Sequence, residues 1–314
     1  MFMHVDDGRR PANRVSRKST CVGQENGFGQ GNWQRGVRAA PRAVRNVAIP
    51  GWDCLDAGYA LNVTTHRIES IVLKSWPLHE ADLVVSLLTR EAGKIKGIAK
   101  SGLKSRRRFG GALEPMTYVL ASYAEKPRQE LVRLDSCEIV ASPLSEEMDY
   151  GRAAALAFYT EVLEEALPDR DPQDAIFRLT LAVLAHTRKG HIWMPVTYFS
   201  LWIPRLLGWL PELGRCTVCE EPLTGRGGYF HAEMDGLVCE THRPAGARML
   251  TAESLALAQT MFRQPVAKFA ASEGEAAWPA ARAADLRRFT TQSLERHLER
   301  RLRSVEALRR LAKA

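Results

Sequence analysis

The sequence has little of what export or membrane insertion requires. It holds only six cysteines in 314 residues, and three of them, Cys216, Cys219 and Cys239, fall in one short stretch. Cys21, Cys54 and Cys137 are scattered, so no disulfide framework is indicated and a reducing compartment is expected. The first residues have no apolar core of the kind a signal peptide needs. The longest apolar run, WMPVTYFSLWIPRLLGWL at 193–210, is interrupted by Pro195, Pro204 and Arg205, which argues for a buried helix over a membrane span. Signatures of catalysis are missing too. There is no GxxxxGK[ST] loop, no GxGxxG after a strand, no HExxH and no GxSxG, which removes the main nucleotide-binding and hydrolytic classes and leads us to expect a protein that is not an enzyme. Acid is in short supply: 44 Lys and Arg against 36 Asp and Glu give a net charge of +8. A basic balance favours a polyanionic partner but says nothing about fold.

The chain changes character twice. Residues 1–64 are rich in Gly, Arg, Asn and Gln without sustained periodicity, and such a segment cannot bury enough apolar surface to offset its ordering entropy. It is expected to be a disordered extension, and a start at Val63 would explain why patterned sequence begins there. Residues 65–142 read as strands: RIESIVLKSW, ADLVVSLLTR, GKIKGIAK, PMTYVLASYA and ELVRLDSCEI are β-branched and aromatic and are separated by turn signals. Five short strands in about 70 residues suit a small barrel of the oligonucleotide/oligosaccharide-binding (OB) type, although strand count alone leaves an SH3-like barrel open. From 143 to 314 the period becomes helical, with Leu156, Tyr159, Leu163 and Leu167 on one face, a helix from Asp174 to Arg188, another through the apolar run, and Leu250 to Phe262 after the cysteines. Leu286, Phe289, Leu294, Leu298, Leu302, Val305 and Leu308 predict one long terminal element whose intervening arginines form a solvated face. The expected class is α+β: an N-terminal five-stranded barrel followed by a helical domain with a metal-binding insertion at about 214–245.

That insertion reads CTVCEEPLTGRGGYFHAEMDGLVCETH. Cys216-x2-Cys219, nineteen residues, then Cys239-x2-His242 present four N/S ligands from two short steps, as a structural Zn2+ ion requires. Gly225, Gly227, Gly228 and Gly236 allow the hairpin that returns the chain to the ion. His242 is preferred as the fourth ligand because it is in register with Cys239, and His231 competes with it. A closed four-ligand site leaves no position for water or substrate, so the role expected is folding and not hydrolysis.

A second constellation lies upstream. Lys94, Lys96, Lys100, Lys104, Arg106, Arg107 and Arg108 follow one another without an acidic residue between Glu91 and Glu114. Lys94 and Lys96 share one face of a predicted strand, Ile98 falls on that face, and Gly97 permits a bulge that re-aims it. The remainder, SGLKSRRRFGG, reads as a flexible loop. A mobile cationic arm over a strand face suits phosphate-backbone binding, with Phe109 and Tyr123 available either for stacking or for the core.

In order and spacing these parts resemble the RecO family of bacterial DNA repair proteins, from about Thr65 to about Ala312. The resemblance is carried by the opening THRIESIVLKSWPLHEADLVVSLLTREAGKIKGIAKSGLKSRRRFGGALEPMT, by FSLWIPRLLGWLPELGRCTVC, by GGYFHAEMDGLVCETH and by the basic terminus RRLRSVEALRRL. It implies an OB barrel, a helical C-terminal domain, zinc in many members, and no enzyme activity in the usual sense. It also implies binding of single- and double-stranded DNA, annealing of complementary strands, contacts with RecR and the single-stranded DNA-binding protein, and so indirect help in loading RecA. The location implied is cytoplasmic and nucleoid-associated. Many zinc-bearing members use four cysteines where this chain ends on His242, and the first 62 residues have no family counterpart. The competing readings are a zinc-stabilised RNA-binding or RNA-processing module and, further off, a zinc enzyme.

Overall fold

The computed structural model describes residues 63–273 and 278–313; the expected disordered extension lies outside them but for Val63 and Thr64, and Thr64 already opens the first strand. The chain opens with five strands, β1 (Thr64–Pro77), β2 (Leu83–Thr89), β3 (Gly93–Ala99), β4 (Tyr118–Glu125) and β5 (Leu131–Ala141), interrupted by one helical turn, α1 (Arg106–Phe109). They close into a barrel in the order β1-β2-β3-β5-β4. All pairings are antiparallel except β3 with β5. Alternation along the strands sends Val72, Val85, Leu87, Ile95, Val119 and Leu134 into the barrel core. No bulge forms at Gly97, because β3 runs in unbroken register along β2. Gly97 faces inward, where a Cβ would come within 2.8 Å of the Leu134 side chain, so the residue serves close packing of β3 on β5.

β2 is buried at every position, and the alternation rule explains why only if both faces are covered. The inner face lines the barrel. On the outer face, Leu88 joins Ile71 and Leu73 of β1 in the core of the helical region. That region follows a 3-10 turn at Pro143–Ser145 and comprises α2 (Tyr150–Ala166), α3 (Asp174–His186), α4 (Trp193–Leu206), the hairpin strands β6 (Gly228–Phe230) and β7 (Arg248–Leu250), then α5 (Ala252–Arg263), α6 (Val266–Glu273), α7 (Ala284–His297) and α8 (Ser304–Leu311). Asp149 caps α2 by accepting from Arg152 N at 2.6 Å. Barrel and helices are joined by polar contacts along the turn after α2. Ser86 Oγ donates to the Glu164 carboxylate at 2.6 Å, Arg170 N donates to Lys94 O at 2.8 Å, and Arg90 bridges Glu69 and Asp174, each at 2.9 Å. Gly93 has φ +71° and sits where a Cβ would strike the Asp171 backbone, so no side chain fits this turn.

The apolar run at 193–210 is a buried 14-residue helix with its continuation, and among the described residues no helix is long and apolar enough to cross a membrane. The terminal element departs from its single-helix expectation. The apolar spacing continues through Leu298 and Leu302, but the backbone breaks between α7 and α8, with Glu299 at φ 53°. The reason is a tertiary cap: Glu161 of α2 accepts from Arg303 N at 2.9 Å, Ser304 N at 2.8 Å and Ser304 Oγ at 2.5 Å, supplying the unpaired amides that open a new helix.

Candidate nucleic-acid interface and metal centre

The cations grouped by sequence are divided by the structure. Lys94 is buried at 6% exposure; its ammonium donates to Glu164 O at 2.6 Å and lies 3.3 Å from Asp169. Lys96 reaches the same Asp169 at 3.1 Å. Burial alone would push the Asp169 carboxyl up, but Lys96 and Lys94 outweigh it and hold it below the usual carboxylate range. These two lysines therefore fasten the barrel to the helical region instead of facing a ligand. Sequence spacing could not separate them from the others, because the carboxylate that claims them lies more than seventy residues away.

Lys100, Lys104, Arg106 and Arg107 are exposed, and among the described residues none of their side-chain charges has a hydrogen-bond or ion-pair partner. The segment is ordered, contrary to the flexible loop expected. Leu103 N donates to Ala81 O at 3.1 Å, Ser101 N to the Asp82 carboxylate at 2.7 Å, and α1 forms one turn that drops Phe109 into the barrel core at 2% exposure. A ring buried to that degree stabilises its segment by about 1.5–3 kcal/mol. Arg108 belongs to this anchor: it donates to Ser105 Oγ at 3.0 Å and to Lys100 O at 2.5 Å and lies 5.1 Å over the Phe109 ring. Tyr123 is likewise buried and stacks on His66 at 4.9 Å between centroids. Neither aromatic is available to a base.

The metal centre is brought together as spaced. Cys216, Cys219, Cys239 and His242 place their ligand atoms within 4.8 Å of one another. Cys219 Sγ and Cys239 Sγ are 3.8 Å apart, Cys216 Sγ and His242 Nδ1 3.8 Å, and Cys239 Sγ and His242 Nδ1 3.2 Å. A zinc ion with ligands at about 2.3 Å sets tetrahedral sulfurs about 3.8 Å apart, so donor set and spacing both fit that ion. The turn is built by Cys216 N donating to Glu221 O and Glu220 N to Cys216 O, both at 2.9 Å. Tyr229 bridges Val238 and β6 pairs with β7, which returns the chain to a 3-10 turn at Glu240–His242. Gly227, at φ +79°, passes so close to Leu250 O that a Cβ would sit 2.4 Å away. Burial would raise the Cys216 thiol, but amides of Cys219, Cys239 and Val218 outweigh it and bring it to about 6; contacts with Cys239 and Cys216 raise His242. His231 lies outside the cluster, its Nδ1 accepting from Glu233 N at 3.4 Å. The knuckle is part of the helical core through Cys216, Leu223, Phe230 and Leu237.

A feature that sequence reading missed lies between α4, α7 and α8. A cavity of about 490 Å³ is floored by Phe158, Trp193, Val196 and Val305 and rimmed by Arg248, Arg287, Arg288, Arg309 and Lys313, with no carboxylate among the described residues of its lining. Arg287 is not on a solvated face: it donates to Thr197 Oγ1 at 2.9 Å and Arg282 O at 2.8 Å and lies 4.8 Å over Trp193, and burial pushes its guanidinium down to about 10.

A five-stranded barrel fused to a helical region, with a cationic loop on the first and a Cys/His knuckle in the second, defines a two-part protein of the α+β class. The sequence model described as Recombination protein O N terminal matches residues 63–143, and Recombination protein O C terminal matches residues 147–306. The chain belongs to the RecO family of DNA repair proteins. It is 54% identical over 243 residues to the DNA repair protein RecO of Koribacter versatilis (strain Ellin345), covering 77% of this chain and 98% of that one. It is 34% identical over 238 residues to RecO of Anaeromyxobacter sp. (strain K), covering 75% and 92%. The protein of the same name from Bifidobacterium adolescentis is 32% identical over 186 residues, covering 57% and 74%.

Proposed function

We propose that this protein is a non-catalytic recombination mediator of the cytoplasm and nucleoid, which binds single- and double-stranded DNA through an OB-type barrel and anneals complementary strands. In this reading it helps RecA load onto DNA coated by the single-stranded DNA-binding protein, together with RecR. The observation that carries the proposal is the row of four exposed cations, Lys100, Lys104, Arg106 and Arg107, whose charges have no partner among the described residues, on an anchored loop at the end of the barrel. Phosphates attract such charges whatever the base sequence, as annealing of arbitrary strands requires. Cys216, Cys219, Cys239 and His242 would hold a Zn2+ ion, which would cross-link the knuckle with no coordination position left for a reaction. Contact with a protein partner is assigned to the cavity between α4, α7 and α8, whose apolar floor and guanidinium rim suit an acidic segment with an apolar anchor. The test is annealing of complementary oligonucleotides coated by the single-stranded DNA-binding protein. Wild type should accelerate it, and a variant with all four loop cations changed to Ala should not. Equal rates for the two would overturn the proposal, and RNA binding without any annealing would favour an RNA-binding module instead.

A further inference from the structure

OB barrels take oligonucleotides across the outer face of strands two and three, and here most of that face is occupied. Two cross-strand rows belong to the contact with the helical region: Ser86 opposite Lys96, bonded to Glu164 and Asp169, and Leu88 opposite Lys94, buried against the helical core and Asp169. One row remains. The register sets Trp76 opposite Val84 and Val84 opposite Ile98, and this row lies at the end of the barrel where the cationic loop begins. Trp76 and Ile98 are only half-buried, flanking Val84, which is buried at 5% exposure, and none of the three packs against either hydrophobic core. The Trp76 indole N–H has no hydrogen-bond partner among the described residues, and Lys74 Nζ stands 5.9 Å over its ring. Lys100 follows Ile98 by two residues, and Leu103 N is bonded to Ala81 O between β1 and β2, so the loop borders this strip directly. With Phe109 and Tyr123 in the core, Trp76 is the aromatic that this end of the barrel offers to a base.

We infer that Trp76 is the base-stacking platform of the interface: a single strand crosses the Trp76–Val84–Ile98 row, one base lies on the indole, and Lys74 with the four loop cations holds the flanking phosphates. This rests on the proposed DNA-binding role of the loop. An indole stacks with every base, so the platform adds affinity without sequence preference. It favours single strands, because bases in a duplex are already stacked.

The test titrates Trp76→Leu, Trp76→Phe and the four-cation Ala variant of the full chain with oligo(dT) and with a duplex at several salt concentrations, after thermal melts confirm folding. Trp76→Leu should weaken single-strand binding about tenfold at every salt concentration, leave duplex binding unchanged and leave the salt slope unchanged; Trp76→Phe should retain most of the affinity. The cation variant should lose slope instead. Wild-type single-strand affinity in Trp76→Leu, with a weakened cation variant, would overturn the platform and leave the loop standing. Wild-type binding by the cation variant would overturn the loop, and only a selective loss in Trp76→Leu would then keep Trp76.

Discussion

In the loop after β3, four cations are exposed and have no charge partner among the described residues, while one phenylalanine holds the backbone in place. In the knuckle from 214 to 245 the arrangement is reversed: the chemically reactive atoms face one another within 4.8 Å, although Cys219 is exposed. Both stretches stand out in sequence, and their contrast shows how such motifs differ in purpose. Unsatisfied donors on an ordered backbone are a surface waiting for a partner. Donors that satisfy one another around a common centre belong to the fold. The knuckle also shares its core with α7, through Phe230 edge-on to Phe289 at 5.3 Å and through Asp235, which lies 3.4 Å from Arg296. Its integrity is therefore that of the helical region.

The contrast can be broken most forcefully at the metal. Chelation, or Cys216→Ser, should remove stabilisation on the order of 10 kcal/mol from the knuckle and the helices packed on it, read as a large drop in Tm while barrel-strand signals persist; unchanged melting after verified metal loss would put the knuckle outside the fold. Phe109→Ala should cost about 3–5 kcal/mol and weaken DNA binding as well, because it frees the loop that presents the cations; a normal melt would show that the anchor is not needed. Replacing Lys100, Lys104, Arg106 and Arg107 with Ala should leave melting near wild type while reducing the magnitude of the single-strand salt slope by about 3, the opposite pattern to Cys216→Ser.

Two smaller effects sharpen the comparison within the helical region and at its border. Burial would raise the Asp285 carboxyl, but hydrogen bonds from Ser254 and Thr251 outweigh it and hold it low. A depressed carboxyl contributes stability above its unfolded pKa and loses it as pH falls through the folded value. Asp285→Asn should therefore flatten the acid limb of Tm against pH, and an unchanged limb would assign that limb elsewhere. Lys96→Ala, at a partly exposed ion pair, should cost under about 1 kcal/mol and leave DNA affinity unaltered; a loss equal to that of a loop cation would return Lys96 to the binding set.

The strands, the knuckle ligands and most helices were legible because each rests on local pattern: alternation, 3.6-residue spacing and short ligand steps. The sorting of Lys94 and Lys96 away from Lys100 and Lys104 was not, since Asp169 and Glu164 claim them from the far side of a domain contact. The break before α8 was hidden for the same reason, its cap being Glu161 of a distant helix, and so was the cavity, whose arginines come from two helices and a strand.

By itself the sequence determined the barrel-then-helix order, a Cys/His cluster with His242 in register, and an excess of positive charge after the third strand. These depend on neighbours a few residues apart, where backbone geometry alone dictates which side chains meet. Tertiary structure decided which cations stay free of partners among the described residues, that Phe109 is an anchor, and that Trp76 stands on the row of the β2–β3 face that the helical region leaves uncovered. Those outcomes depend on which surfaces the two halves of the chain bury against each other, and burial is a property of the packed whole that no local spacing records.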